Sequence, residues 1–315
     1  MDLDKAVDLG VTVGRVRLGN PIITASGTFG YGAEFAGFQD LSRLGGIVTK
    51  GLTLEARPGN PPRRIAETPG GMINSIGLQN VGVDAFLQEK LPYLRKLGNC
   101  VVVNINGRTA ADYVKLAQIL DEAEGIDVLE LNVSCPNVEK GGREFGTDAG
   151  VLYSLVYDVR QATRLPVWVK LSPSVTDPGV LAKACEAGGA DAIVAINTLT
   201  AAHVRPVWEG SKLRADVLKG GLSGPAVKPV ALRTVWEIRQ AVNVPIVGVG
   251  GIASAEDVLE FLAIGAQAVQ VGTANFYDPT LAARLPLDLA PLLEARGVRS
   301  LEELTRGILA LEQVT

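Results

Sequence analysis

Short apolar runs alternate with longer segments of helical periodicity along most of the chain. The short runs do not alternate strictly between apolar and polar positions, which is typical of strands buried on both faces of a parallel sheet. They predict eight strands, over residues 21–25, 46–50, 100–105, 128–133, 166–171, 191–197, 245–250 and 268–273. Helices are predicted between and after them, at residues 83–97, 109–123, 148–163, 178–187, 227–242, 254–264, 280–294 and 299–307.

This order of elements predicts an α/β fold, and eight strand–helix units close most simply into a (β/α)8 TIM barrel. No linker or change of composition divides the chain, so residues 1–315 are expected to form a single domain. Weak alternation over residues 9–19 predicts a short N-terminal hairpin. The segments 52–81 and 198–226 are too long for plain connections and are expected to be loops that cover the C-terminal face of the barrel.

Charge and composition limit the kinds of partner and chemistry that this chain can have. The chain has 34 acidic and 30 basic residues and no basic stripe, so nucleic acid is not an expected partner. No apolar run approaches the roughly 20 residues that span a bilayer, so no membrane association is expected. The three cysteines lack metal-ligand spacing, and their odd number without a signal peptide predicts a reducing, cytoplasmic setting. With His203 as the only histidine, chemistry must depend on Cys, Lys, Asn, Ser, Thr or a cofactor.

Polar residues mark the ends of the predicted strands. In such barrels the residues at the carboxyl ends of the strands converge on one site. Two lysines and three asparagines stand at the ends of five different strands: Lys50, Lys170, Asn104, Asn132 and Asn197. The preference of such residues for turns is a poor explanation for five of them on one face. Asn offers both donors and an acceptor, so this set could bind a small planar ring with C=O and N–H groups.

The last two strands end in glycine, at Gly250-Gly251 and at Gly272-Thr273. Loops after the seventh and eighth strands of TIM barrels often bind phosphate through backbone N–H groups, and glycine permits the close approach that this requires. We therefore expect a phosphate-bearing ligand over these strands.

Cys135 follows the fourth strand directly, because Pro136 cannot donate a ladder hydrogen bond and stops the strand. No His, Asp or Glu stands at the end of a predicted strand, so Cys135 is the candidate proton-handling residue of this face. A neighbouring lysine would favour its thiolate. Cys100 and Cys185 are expected to be packing residues, and His203 a surface residue of the long segment.

Together these motifs resemble the dihydroorotate dehydrogenase family, over residues from about 9 to 307. The motifs are Asn132-Val133-Ser134-Cys135-Pro136-Asn137, Asn74-Ser75-Ile76-Gly77-Leu78-Gln79-Asn80, Val169-Lys170-Leu171-Ser172-Pro173, Asn197-Thr198 and Gly220-Gly221-Leu222-Ser223-Gly224-Pro225. Cys135 and the Asn-Ser-Ile-Gly-Leu segment are similar to the class 1B catalytic subunit.

The resemblance implies FMN as the cofactor and oxidation of dihydroorotate to orotate in de novo pyrimidine synthesis. It implies that Cys135 takes the C5 proton while a hydride passes from C6 to flavin N5. The implied FMN contacts are Ser26, Lys50, Gly51, Asn104, Asn132, Lys170, Ile196, Gly224, Gly250, Gly251, Gly272 and Thr273. The implied substrate contacts are Lys50, Asn74, Ser75, Ile76, Gly77, Leu78, Asn132, Asn197 and Thr198.

Class 1B enzymes work as homodimers with a second subunit that carries FAD and a [2Fe–2S] cluster and passes electrons to NAD. The chain has no cysteine cluster that could ligate iron and sulfur, so that centre would have to come from the partner. Residues 199–219 depart from the class 1B pattern, which leaves partner docking and the electron acceptor open.

Three alternatives remain at this stage. The same reaction could use fumarate or another acceptor without a partner subunit. A non-redox, phosphate-binding lyase or isomerase would explain the glycine pairs but not the asparagines and Cys135, and an aldolase could use Lys170 as a Schiff-base lysine. A regulatory barrel could bind FMN without turnover.

Overall fold

The computed structural model describes residues 7–134, 136–137 and 143–306. Eight parallel strands form a closed barrel, in the order of the chain around the ring. The barrel strands are β3 (Ile22–Thr24), β4 (Gly46–Val48), β7 (Cys100–Ile105), β8 (Val128–Asn132), β11 (Val167–Leu171), β12 (Ala192–Ala195), β15 (Ile246–Val249) and β16 (Ala268–Val271). The predicted barrel is therefore confirmed.

The longer helices surround the barrel because each carries one apolar stripe that it buries against the strands. They are α1 (Val83–Ala85), α2 (Leu91–Leu97), α3 (Ala110–Asp121), α4 (Ala149–Ala162), α5 (Pro178–Ala187), α6 (Lys228–Ala241), α7 (Ala255–Ala263), α8 (Ala274–Tyr277), α9 (Leu281–Glu294) and α10 (Leu301–Arg306). A π-helical turn, Phe86–Lys90, joins α1 to α2, whose second residue, Pro92, has no N–H to donate. Between β3 and β4 only two 3-10 helices occur, Ala33–Phe35 and Leu41–Arg43, so the first of the eight expected units lacks an α-helix.

The N-terminal end of the barrel is covered by the predicted hairpin. Its strands are β1 (Val11–Val13) and β2 (Val16–Leu18), which pair in antiparallel register across a turn at Gly14 with φ of 61°. Arg15 in this turn donates to Asp191 at 2.9 Å, at the entry to β12. The hairpin is therefore tied to the base of the barrel.

The two covering segments differ from the expected loops, because they pair with each other. β5 (Ile65–Thr68), β6 (Gly71–Asn74), β13 (Leu199–Glu209) and β14 (Lys212–Ser223) form one four-stranded antiparallel sheet in the order β13-β14-β6-β5. We call it the cover sheet. β14 pairs with β6 at Gly221↔Asn74, which joins segments far apart in the sequence. A further pair of two-residue strands, β9 (Pro136–Asn137) and β10 (Arg143–Glu144), follows β8.

β13 and β14 extend beyond the rest of the cover sheet as a two-stranded arm. Val204 lies opposite Val217, and Trp208 lies opposite Leu213. These four side chains are each more than half exposed. His203, expected at the surface, is half-buried in β13. No helix among the described residues is long and apolar enough to cross a bilayer.

Candidate functional site

A cavity of about 320 Å³ lies at the carboxyl ends of the barrel strands, under the cover sheet. This volume is within the range of pockets that hold small ligands. Most of the predicted site residues line it: Ser26, Lys50, Gly51, Asn74, Ile76, Gly77, Leu78, Asn104, Asn132, Asn197, Thr198, Gly224, Gly250, Gly251, Gly272 and Thr273. Ser75, Lys170 and Ile196 are not part of the wall. Cys135 lies outside the described residues.

One corner of the cavity is made of glycine backbone. Gly250 and Gly251 follow β15 with φ of 131° and 79°, a conformation that side chains rarely adopt. A Cβ at Gly251 would lie 2.6 Å from Lys228 Cβ, so no larger residue fits without movement. Gly272 and Thr273 follow β16 on the neighbouring strand. The Thr273 hydroxyl donates to Ser223 Oγ at 2.7 Å, which fastens the end of the cover sheet to this corner.

Lys50 supplies a cation to the cavity wall. It lies two residues past β4 and is half-buried. Burial lowers the pKa of Lys50, the nearby positive charge of Arg64 lowers it further, and Glu34 partly opposes both. An anionic group in the cavity would stabilise the charged form of this lysine.

Two asparagine amides meet at the middle of the wall. Asn197 Nδ2 donates to Asn132 Oδ1 at 3.0 Å and to Ser134 Oγ at 3.1 Å. The backbone carbonyl of Asn132 accepts from the Tyr113 hydroxyl at 2.6 Å. These bonds fix the end of β8, and Cys135 is the next residue after Ser134 in the chain.

The cover sheet contributes the opposite wall. Asn74 ends β6, lines the cavity, and donates from Nδ2 to the Gly221 carbonyl at 3.3 Å. Leu78 has φ of 55°, and its carbonyl accepts from Asn80 Nδ2 at 2.8 Å. Ser75 instead faces the covering segment, where Asn60 Nδ2 donates to its carbonyl at 2.9 Å.

Lys170 is almost fully buried beneath the cavity. Its Nζ donates to Ser26 Oγ at 3.2 Å and to Gln270 Oε1 at 3.0 Å. Burial lowers the pKa of Lys170, and the carboxylate of Glu130, with an oxygen 3.9 Å away, opposes that shift. Ser26, in contrast, reaches the cavity wall.

Glu130 and Gln270 were missed in the sequence. Both are fully buried, and both lie within their strands rather than at the strand ends where polar residues were expected. Asn104 Nδ2 donates to Glu130 Oε1 at 2.7 Å, and Gln270 Nε2 donates to Glu130 Oε2. Each could have been found in the sequence as a single charged or amide residue inside an apolar strand. Glu130 also stands two positions before Asn132 and therefore on the same face of its strand.

Other residues of the wall were not among the predicted site residues. They are mainly apolar or aromatic and come from the cover sheet, from the segments that follow β14 and β15, and from α8: Ile65, Met72, Pro225, Ile252, Phe276 and Tyr277. Within the described ranges, no group of His, Cys, Asp and Glu side chains could hold a metal ion. Cys185 is fully buried in α5, which fits a packing role, and burial raises the pKa of its thiol.

Comparison with known proteins identifies the family. The family model of dihydroorotate dehydrogenase matches residues 8–293. The chain belongs to the dihydroorotate dehydrogenase family. It is therefore an oxidoreductase, and enzymes of this family are in general flavin-dependent.

Similar proteins are known from several bacteria. The chain is 50% identical to a protein of Geotalea uraniireducens over 96% of this chain and 98% of that one. It is 51% identical to a protein of Geotalea daltonii, over 94% and 97% of the two chains, and 51% identical to one of Pelobacter propionicus, over 96% and 98%. All three relatives are named dihydroorotate dehydrogenase B (NAD(+)), catalytic subunit.

Proposed function

We propose that this chain uses FMN to oxidise (S)-dihydroorotate to orotate in de novo pyrimidine synthesis. One observation carries the proposal beyond family membership. The positions that the family resemblance implies for cofactor and substrate come from separate strands and from the cover sheet, and sixteen of them line one cavity, as the wall residues named above show.

The glycine corner supports FMN as the flavin. A phosphate could approach the backbone at Gly250, Gly251 and Gly272 because no side chain intervenes. Gly51, Asn104 and Ser26 would contact the ring system from the barrel side. Bound FMN would supply the acceptor for a hydride from the substrate.

The opposite part of the cavity suits the substrate. Asn74, Asn132 and Asn197 could bind the C=O and N–H groups of the pyrimidine ring, and Lys50 could bind its carboxylate. Because Lys50 has a lowered pKa from burial, an anionic substrate would stabilise its charged form.

Cys135 is proposed as the base that takes the C5 proton. It is next in sequence to Ser134, whose hydroxyl accepts from Asn197 on the adjacent wall. A base must lie within hydrogen-bond reach of the proton that it removes, so the proposal requires the Cys135 thiol to reach the substrate from the segment that follows β8.

The proposal includes NAD as the final electron acceptor, reached through a second subunit with FAD and a [2Fe–2S] cluster, and a homodimer of this chain. The names of the relatives, which specify a catalytic subunit and NAD(+), support a partner. The exposed apolar side chains of the arm support contact with another chain. A cytoplasmic location belongs to the same proposal.

The experiment starts from the purified chain loaded with FMN in the absence of oxygen. Dihydroorotate should bleach the flavin absorption, whereas orotate should perturb the spectrum without bleaching it. Adding the partner subunit and NAD should then restore the oxidised spectrum, while fumarate should not. A chain that binds no flavin, or one whose flavin dihydroorotate leaves oxidised, would contradict the proposal.

A further inference from the structure

A buried polar cluster lies inside the barrel directly below the proposed flavin site. It consists of Asn104, Glu130, Lys170 and Gln270, each at most 3% exposed. Their strands, β7, β8, β11 and β16, lie on both sides of the ring. Burying a charge pair and two amides costs free energy that an apolar barrel interior would avoid, so the cluster needs a reason beyond packing.

In the hydrogen bonds of the cluster, the assignment of donors and acceptors is determined by Glu130. A carboxylate can only accept, so Glu130 requires Gln270 to present its Nε2. The other end of the same amide, Oε1, then faces Lys170 Nζ at 3.0 Å. Glu130 therefore determines that Lys170 meets an acceptor rather than a donor.

The same carboxylate also provides the countercharge. Its oxygen lies 3.9 Å from Lys170 Nζ, and this is the only ion pair of Lys170 in the part of the chain that the structure describes. Lys170 reaches the cavity wall through Ser26, whose hydroxyl accepts from Nζ at 3.2 Å. The positive charge of Lys170 is thus held immediately behind the wall.

We propose that Glu130 is a positioning residue that acts through Gln270 and Lys170, keeping the Lys170 ammonium charged and directed toward the flavin. This inference rests on the proposed flavin-dependent function. Reduced flavin carries more negative charge than oxidised flavin, so a fixed ammonium behind it favours reduction. Glu130 itself touches neither the cavity nor the reacting atoms.

The test uses the sign of a change in the reduction potential. Glu130→Gln, Lys170→Met and the double variant are loaded with FMN, and the potential of the bound flavin is measured for each. If Glu130 acts through Lys170, Glu130→Gln makes the flavin harder to reduce, as Lys170→Met does, by about tenfold in the equilibrium between the two forms. A carboxylate acting only as a nearby negative charge gives the opposite sign, because its removal would make reduction easier.

The double variant shows whether the effect of Glu130 on the flavin potential depends on Lys170. In the Lys170→Met background, Glu130→Gln should no longer make the flavin harder to reduce. A Glu130→Gln effect of the same sign and size with and without Lys170 would overturn the proposal. Should Glu130→Gln not fold, Gln270→Leu removes the bridge while keeping both charges, and it should also make reduction harder.

A second readout needs no flavin. The Nζ resonance of Lys170, assigned by its loss in Lys170→Met, should titrate at a lower pH in flavin-free Glu130→Gln than in the flavin-free wild type. An unchanged titration would overturn the proposal. If the wild-type chain binds no flavin, the proposed function fails while this titration still decides whether Glu130 keeps Lys170 charged.

Discussion

The pKa of Lys50 is set by influences that act in opposite directions. Burial and the positive charge of Arg64 lower its pKa, and Glu34 raises it. Because an anionic substrate requires the charged lysine, we expect the affinity for orotate to fall as the pH rises through this lowered pKa. Arg64→Gln should raise the pKa of Lys50 and move that loss of affinity to higher pH, whereas Glu34→Gln should move it to lower pH.

Arg63→Gln is the matched control for this prediction. Arg63 is exposed and pairs with Asp216 at 3.4 Å, and the pKa shift of Lys50 arises from burial, Arg64 and Glu34 instead. Orotate titrations across alkaline pH should give the same midpoint for this variant as for the wild type. If Arg64→Gln also leaves the midpoint unchanged, Lys50 is not the group that binds the carboxylate.

The sequence predicted the individual wall residues better than the interior beneath them. Lysines and asparagines at strand ends are visible because polar residues interrupt apolar runs where the strands stop. Glu130 and Gln270 lie inside such runs, and only their hydrogen bonds to Asn104 and Lys170 show why an apolar barrel tolerates them. Those partners come from other strands, so local patterns could not identify them.

The two glycine-ended strands should respond differently to the same substitution. At Gly251, with φ of 79°, a Cβ would lie 2.9 Å from the backbone nitrogen of Lys228. Gly251→Ala should therefore lower the free energy of unfolding by about 1–3 kcal/mol. At Gly272 a Cβ would lie 3.4 Å from Ala25 Cβ, an ordinary contact, and φ is not in the left-handed region.

Gly272→Ala should therefore leave the stability of the flavin-free protein within about 0.5 kcal/mol of the wild type. It should still weaken FMN binding roughly tenfold, equivalent to about 1.4 kcal/mol, because the added methyl group lies in the proposed phosphate corner. Thermal unfolding of the flavin-free proteins and titration with FMN separate the two effects. Unchanged FMN affinity in Gly272→Ala would contradict this position for the phosphate.

The barrel strands and most helices were predictable because buried parallel strands form compact apolar runs. The cover sheet was not predictable, since its central pairing joins Gly221 to Asn74 across 147 residues, and neither segment alternates regularly. The missing helix after β3 follows from its glycine-rich sequence, in which Gly27, Gly30 and Gly32 adopt positive φ. Long-range strand pairing and the backbone freedom of glycine therefore account for the two departures from a simple strand–helix repeat.

At the scale of the whole molecule, the arm exposes an apolar face formed by both strands. Val204, Trp208, Leu213 and Val217 lie in facing pairs and are 55–66% exposed. Replacing Val204 and Trp208 together by serine should shift the chain from dimer to monomer in sedimentation experiments. Lys212→Ser, an exposed position whose side chain points to the other face, is the control. An unchanged mass in the double variant would show that the proposed homodimer does not depend on the arm.

The account as a whole depends on one chemical event, the removal of a proton and a hydride from dihydroorotate in the cavity. The most direct measurement is rapid anaerobic mixing of dihydroorotate with FMN-loaded wild-type protein and with Cys135→Ala. We expect the wild-type flavin to be reduced rapidly, and Cys135→Ala to bind orotate normally but to lose most of that rate. Equal rates in the two proteins would contradict Cys135 as the base, and a flavin that stays oxidised in both would contradict the function itself.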